Sequence, residues 1–148
     1  MTHHPLLERM VGHWVLRGTI ARQLTVHDVE ADWVLAQRYV RIHEVSREKN
    51  KEGRPEYEAF VFVTWNEQGQ APYSCVWMDV TGGLSVLSIG LASATGNELL
   101  FMFRNEKGEV DLTNRFVYIP KDDSWEWQID NVEKGVPREF ARVRLTRA

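Results

Sequence analysis

Leu6, Leu7 and Met10 recur at helical spacing, and Gly12 ends that period. From His13 onward the alternation is two-residue, with Trp14, Leu16, Gly18 and Ile20 on one side and His13, Val15, Arg17 and Thr19 on the other. The change of period predicts a short helix followed at once by a strand. The same alternation predicts strands over His13–Gln23, Val29–Leu35 and Arg38–Glu48. Ala36–Gln37 carries no strong turn residue, so one long strand over Val29–Val45, bent by a bulge, is the alternative there. Asn50–Glu56, with Gly53 and Pro55, is the longest polar connection and the candidate for a mobile flap.

Beyond Tyr57 turn signals recur at Asn66–Gly69, Thr81–Gly83, Thr95–Asn97, Glu106–Gly108, Pro120–Ser124 and Glu133–Gly135. That is roughly every 12–14 residues, near the spacing of an antiparallel meander. The runs between them (YEAFVFVTW, YSCVWMDV, LSVLSIGLA, ELLFMF, VDLTNRFVYI, WEWQID and REFARVRLT) are rich in aromatic and β-branched residues and read as seven more strands. No crossover helix is present to support a parallel sheet. About ten antiparallel strands must close or leave a long exposed edge. The expectation is therefore an all-β fold: an up-and-down β-barrel of about ten strands with a short N-terminal helix capping one end. A two-sheet sandwich is the rival, and residues 1–148 are read as a single domain.

Charge narrows the function classes. Residues 1–74 carry nine Lys/Arg against ten Asp/Glu, and residues 75–148 nine against eleven, so neither half has a nucleic-acid footprint. Arg138, Arg142, Arg144 and Arg147 read as a solvated strand face. No signal peptide and no membrane-spanning run is visible, and one cysteine, Cys75, fits a reducing compartment; the cytoplasm is the expected location. Cys75 itself reads as a small buried residue.

Three segments carry a family resemblance: Leu7-Glu-Arg-Met-Val-Gly-His-Trp14, Val61-Phe-Val-Thr-Trp65 and Trp77-Met-Asp79. Gly12-x-Trp14 after a short helix, followed by a β-meander, resembles the lipocalin-like (calycin) superfamily, and more narrowly the bacterial lipocalin-like domain proteins of uncharacterised function. The resemblance implies a barrel that binds a small, mostly apolar molecule, with no established activity. It also implies an arginine packed over Trp14, for which Arg142 or Arg144 are the candidates; a Thr-Asp-Tyr type turn is absent.

The candidate ligand-binding residues follow from the strand faces. Trp14, Tyr39, Trp65, Trp77, Phe101, Phe103 and Trp127 are the lumen candidates, the alternative being that they fill a plugged core. Among polar residues the candidates are Arg41, His43, Asp79 and Asn114. An inward Arg41 would need a carboxylate, such as Asp79 or an acidic ligand's head group. In the competing register Val40 and Ile42 face inward and Arg41 and His43 face water. All five histidines, His3, His4, His13, His27 and His43, are early, whereas haem-binding lipocalin-like barrels use a late one, so neither haem nor any other cofactor is expected. No metal-ligand spacing and no common enzyme motif is present. The leading reading is binding of a small hydrophobic or amphipathic molecule. The second is a cofactor-free enzyme (isomerase or hydrolase type) using Asp79 with His43 or Tyr39, and the third a filled barrel acting through its surface, as a homodimer for instance.

Overall fold

The computed structural model describes residues 4–66, 68 and 71–148. Helix α1 (Pro5–Met10) starts at His4, whose imidazole accepts the Leu6 N–H, and buries Leu6, Leu7 and Met10. The strands are β1 (Gly12–Ile20), β2 (Gln23–Val34), β3 (Tyr39–Ser46), β4 (Glu58–Trp65), β5 (Tyr73–Asp79), β6 (Ile89–Ala92), β7 (Ala94–Thr95), β8 (Glu98–Arg104), β9 (Val110–Ile119), β10 (Ser124–Glu133) and β11 (Val136–Arg147). β1 pairs with β11 and β6 with β8, so ten antiparallel strands close into a barrel and β7 is an extra short strand on β8. Closure satisfies the backbone groups that an open sheet would leave at its edges.

The boundaries that differ from the sequence reading differ through turn chemistry. β1 ends at Ile20, and β2 begins already at Gln23, six residues before the expected Val29. The two residues between them, Ala21 and Arg22, both take positive φ (50° and 67°), the geometry of a two-residue hairpin turn that Asn-Gly would normally signal. β2 and β3 are separate strands rather than one bent strand. Leu35, Ala36 and Gln37 turn the chain with φ of 51°, 58° and 63°, and none of them is a residue that favours that region. Both hairpins are held in place by long ladders: nine pairs join β1 to β2 and eight join β2 to β3. Replacing Ala21-Arg22 by Asn-Gly relieves the backbone without touching the core, and is expected to raise stability by about 1 kcal/mol in urea denaturation. In the run expected as one strand over Leu84–Ala92 only Ile89–Ala92 is strand; Val86–Ser88 is a turn of 3₁₀ helix closed by a Ser85/Ser88 capping box. The expected turn at 66–69 lies partly outside the described residues.

Strand parity decides what fills the barrel. Trp14 and Leu16 on β1, Val29 and Ala31 on β2, Val40 and Ile42 on β3, and Val61 and Val63 on β4 face inward and are buried. Phe60 on β4 faces out, stacked flat on His43 with ring centroids 4.3 Å apart. α1 seals one end: Trp14 Nε1 donates to Met10 O (2.8 Å) and Trp125 Nε1 to Arg9 O (3.2 Å). The Arg147 guanidinium lies 3.9 Å over the Trp14 ring and donates to Val11 O. The residue that packs over Trp14 is therefore Arg147. Arg142 pairs instead with Asp130, and Arg144 with Asp122, on the outer face. No helix among the described residues is long and apolar enough to cross a membrane.

Candidate functional site

The two ends of the barrel hold very different amounts of free space. Beside α1, the gap among Met10, Trp14, Val29, Ala31, Ile42, Trp125, Trp127 and Leu145 is only about 10 Å³. At the opposite end a cavity of about 270 Å³ opens among Tyr57, Trp77, Asp79, Phe103, Leu112, Asn114, Ile129 and Phe140, with residues of the 81–88 connection over it. This is near the lower end of small-molecule sites, with room for roughly nine waters' volume.

Several structural devices place these side chains. Trp77 and Asp79 come off the end of β5, two residues apart and so on one face. Phe103 ends the inward row of β8, and Leu112 and Asn114 begin that of β9. Phe140 owes its place to a bulge. Ile129 pairs with Ala141 and Asp130 with Glu139, so Phe140 has no partner on β10 and is turned to the cavity, although Ala141, Val143 and Leu145 form the inward row.

A hydrogen-bonded chain runs along the Tyr57 side. Trp77 Nε1 donates to Tyr57 Oη (3.1 Å), and Tyr57 Oη donates to Asp79 Oδ2 (2.9 Å). Asp79 Oδ1 accepts from Thr81 N (2.9 Å) and Thr81 Oγ1 (2.5 Å), which ties the start of the 81–88 connection to β5. Burial, then the nearby negative charge of Glu44, then that of Asp79, push the Tyr57 phenol far above its ordinary range. Tyr57 is thus a fixed hydrogen-bond donor here rather than a base.

Across the cavity sits Asn114, 1% exposed, whose Oδ1 is buried without a hydrogen-bond partner among the described residues. A buried carbonyl left unpaired costs about 1–3 kcal/mol. One orphaned carbonyl beside Leu112, Ile129 and Phe103 is a binding feature in search of a donor.

Behind Tyr57, His27 and Glu44 form a sealed pair, Nδ1 to Oε2 2.5 Å, with both side chains 4% exposed. His27 stacks on Tyr57, centroids 5.6 Å apart and 16° from parallel. The pair does not line the cavity; it backs the residue that does.

Of the residues expected from sequence, Trp77, Asp79, Phe103 and Asn114 meet at this cavity. Trp14, Trp65, Phe101 and Trp127 do not line it; they belong to or pack against the core, with Trp127 stacked on Phe116 at 4.6 Å. Tyr39, Arg41 and His43 are corrected outright: β3 turns Val40, Ile42 and Glu44 inward, which puts these three on the outer face. Outside, Arg41 finds Asp32 on β2 (2.9 Å), not Asp79, and His43 finds Glu58 on β4 (2.6 Å). An inward Arg41 would have needed the same neutralisation in an apolar lumen, where it is far costlier to arrange. The pairing of Asp79 with His43 or Tyr39 falls with them; the partner of Asp79 is Tyr57. The polar connection at 50–56 does not line the cavity and is knotted on itself, Asn50 Oδ1 accepting from Glu52 N and Arg54 N. Cys75 is buried, and desolvation pushes its thiol up to about 12. Sequence reasoning missed Tyr57 and Phe140. Tyr57 stood at the edge of a recognised run, whereas nothing in Arg138–Ala141 announces a bulge.

No protein-family model matches the chain, and a search of the curated proteins finds no match either.

Proposed function

We propose that the protein is a lipocalin-like binding domain, spanning residues 1–148, that holds a small amphipathic molecule in the cavity opposite α1. The observation that carries the reading is Asn114. Its buried, unpartnered carbonyl stands in the wall of a mostly apolar cavity of about 270 Å³. A protein that needed only a filled core would gain by placing Leu there, because the desolvated carbonyl lowers stability without accepting a hydrogen bond. The closed half supports the same reading by contrast, since its few remaining cubic ångströms leave no room for a guest. The rival, cofactor-free acid–base catalysis, has less support: Tyr57 is held protonated, and the His27–Glu44 pair does not line the cavity.

The test joins ligand retention to stability. Native mass spectrometry of freshly purified protein is expected to show extra mass that disappears on denaturation. In Asn114→Leu that mass should be lost, while the ligand-free variant unfolds about 1 kcal/mol later than the ligand-free parent. A variant that keeps the adduct, or that is destabilised, would remove Asn114 from the site.

A further inference from the structure

We propose that the cavity takes an organic cation: an ammonium group carried on a small apolar body. The inference rests on the binding function proposed above and names the chemistry of its ligand. Four aromatic residues, Tyr57, Trp77, Phe103 and Phe140, line the cavity, and no Lys, Arg or His stands among its lining residues. Aromatic faces attract cations through the ring quadrupole, most strongly where water is excluded. The single charged group on the cavity is Asp79. Its two oxygens accept three hydrogen bonds, from Tyr57 Oη, Thr81 N and Thr81 Oγ1, which leaves acceptor capacity on a carboxylate with about four lone-pair positions.

The inventory of donors points the same way. The Tyr57 hydroxyl proton goes to Asp79, the Trp77 N–H to Tyr57, and the Thr81 hydroxyl to Asp79. Ser85 Oγ and Ser88 Oγ accept from Leu87 N and Ser85 N in the capping box of their turn, so that only these two hydroxyl protons, at the rim, stay unassigned. What stands unanswered is an acceptor, Asn114 Oδ1. A carboxylate ligand would therefore meet Asp79 with no cation to receive it, whereas an ammonium brings three N–H donors to the carboxylate of Asp79 and the open carbonyl of Asn114. The available volume suits a body of roughly ten heavy atoms, about that of nine waters.

The experiment is isothermal titration calorimetry at pH 7 with three near-isosteres: 3-phenylpropylamine, 3-phenylpropanol and 3-phenylpropanoate. The ammonium is expected to bind at least about tenfold tighter than the alcohol, and the carboxylate weakest of all. Asp79→Asn should weaken the ammonium at least about fivefold more than the alcohol. Phe140→Leu, on a half-exposed ring that the fold does not depend on, should weaken the ammonium about threefold more than the alcohol. A carboxylate that binds as well as the ammonium, or a preference that survives both substitutions, overturns the inference while leaving a binding function in place. Failure of all three probes on a protein that retains a native-mass adduct does the same. Failure of all three with no adduct overturns the binding function as well.

Discussion

Glu44→Leu is expected to destabilise the protein by about 3 kcal/mol, and the double variant His27→Leu/Glu44→Leu to recover most of that loss. The two side chains are each 4% exposed and meet at 2.5 Å, so each is the other's polar partner where water is excluded. Removing one leaves the other desolvated with nothing to bond, and the cost is that of an orphaned buried polar or charged group. Removing both leaves two apolar side chains as diagonal neighbours on the inward row of β2 and β3, where Val29, Ala31, Val40 and Ile42 already pack. Urea denaturation of the four members of the cycle is expected to give a coupling of at least about 3 kcal/mol, the upper end for residues of one buried network. A double variant no more stable than Glu44→Leu would show that the pair contributes net stability beyond satisfying itself. The pair also tests the site from behind. His27 stacks on Tyr57, so the double variant loosens the ring that orients Asp79, and ligand affinity should fall even though stability is restored.

The closed barrel was legible because its signals are local and repeated. A two-residue period in strand after strand, turn residues at even intervals, and one change of period at Gly12 are each set by neighbouring residues. The half of the site on β5, β8 and β9 was legible for the same reason: once Trp77 and Asp79, or Phe103, fall on an inward row, a position near the strand end puts them at the mouth. What failed was whatever depends on pairing between distant strands. β3 has apolar and polar residues on both parities, Tyr39 and Val45 on one and Val40 and Ile42 on the other, and only the partners Asp32 and Glu58 on flanking strands decide that Arg41 and His43 go outside. The arginine over Trp14 was placed on the right strand but three or five residues early and on the outward parity, because the register Trp14 to Arg147 is set by the β1–β11 ladder across the whole chain. The hairpins at Ala21–Arg22 and Leu35–Gln37 were illegible for an opposite reason: their residues oppose the positive φ that the ladders impose. Phe140 combines both difficulties, since a bulge exists only relative to a partner strand.

The largest loss is expected from Trp14→Ala, about 4 kcal/mol, with the barrel's closed end opened and the cavity at the far end kept. Trp14 is 2% exposed and joins three parts of the chain at once: its indole N–H holds Met10 O, its ring lies under the Arg147 guanidinium, and its β1 position pairs with both Val29 and Arg147. The surrounding space is filled to within about 10 Å³, so the walls have little slack with which to collapse into the void. Losing the indole also leaves Met10 O without that donor at the end of α1. Arg147→Ala removes the upper layer of the stack, the bond to Val11 O and an exposed ion pair with Asp123, and should cost about 1 kcal/mol. The informative comparison is Trp14→Phe, which keeps a ring under Arg147 and loses the N–H and part of the volume; it should fall between the two, near 2 kcal/mol. Binding separates stability from site. None of the residues that line the cavity touches Trp14 in sequence or lies in its packed shell, so Trp14→Phe below its unfolding transition should bind the 3-phenylpropylamine probe with parental affinity. A Trp14→Phe protein that is folded but has lost binding would place the ligand deep in the barrel, against the α1 plug, rather than at the opposite mouth.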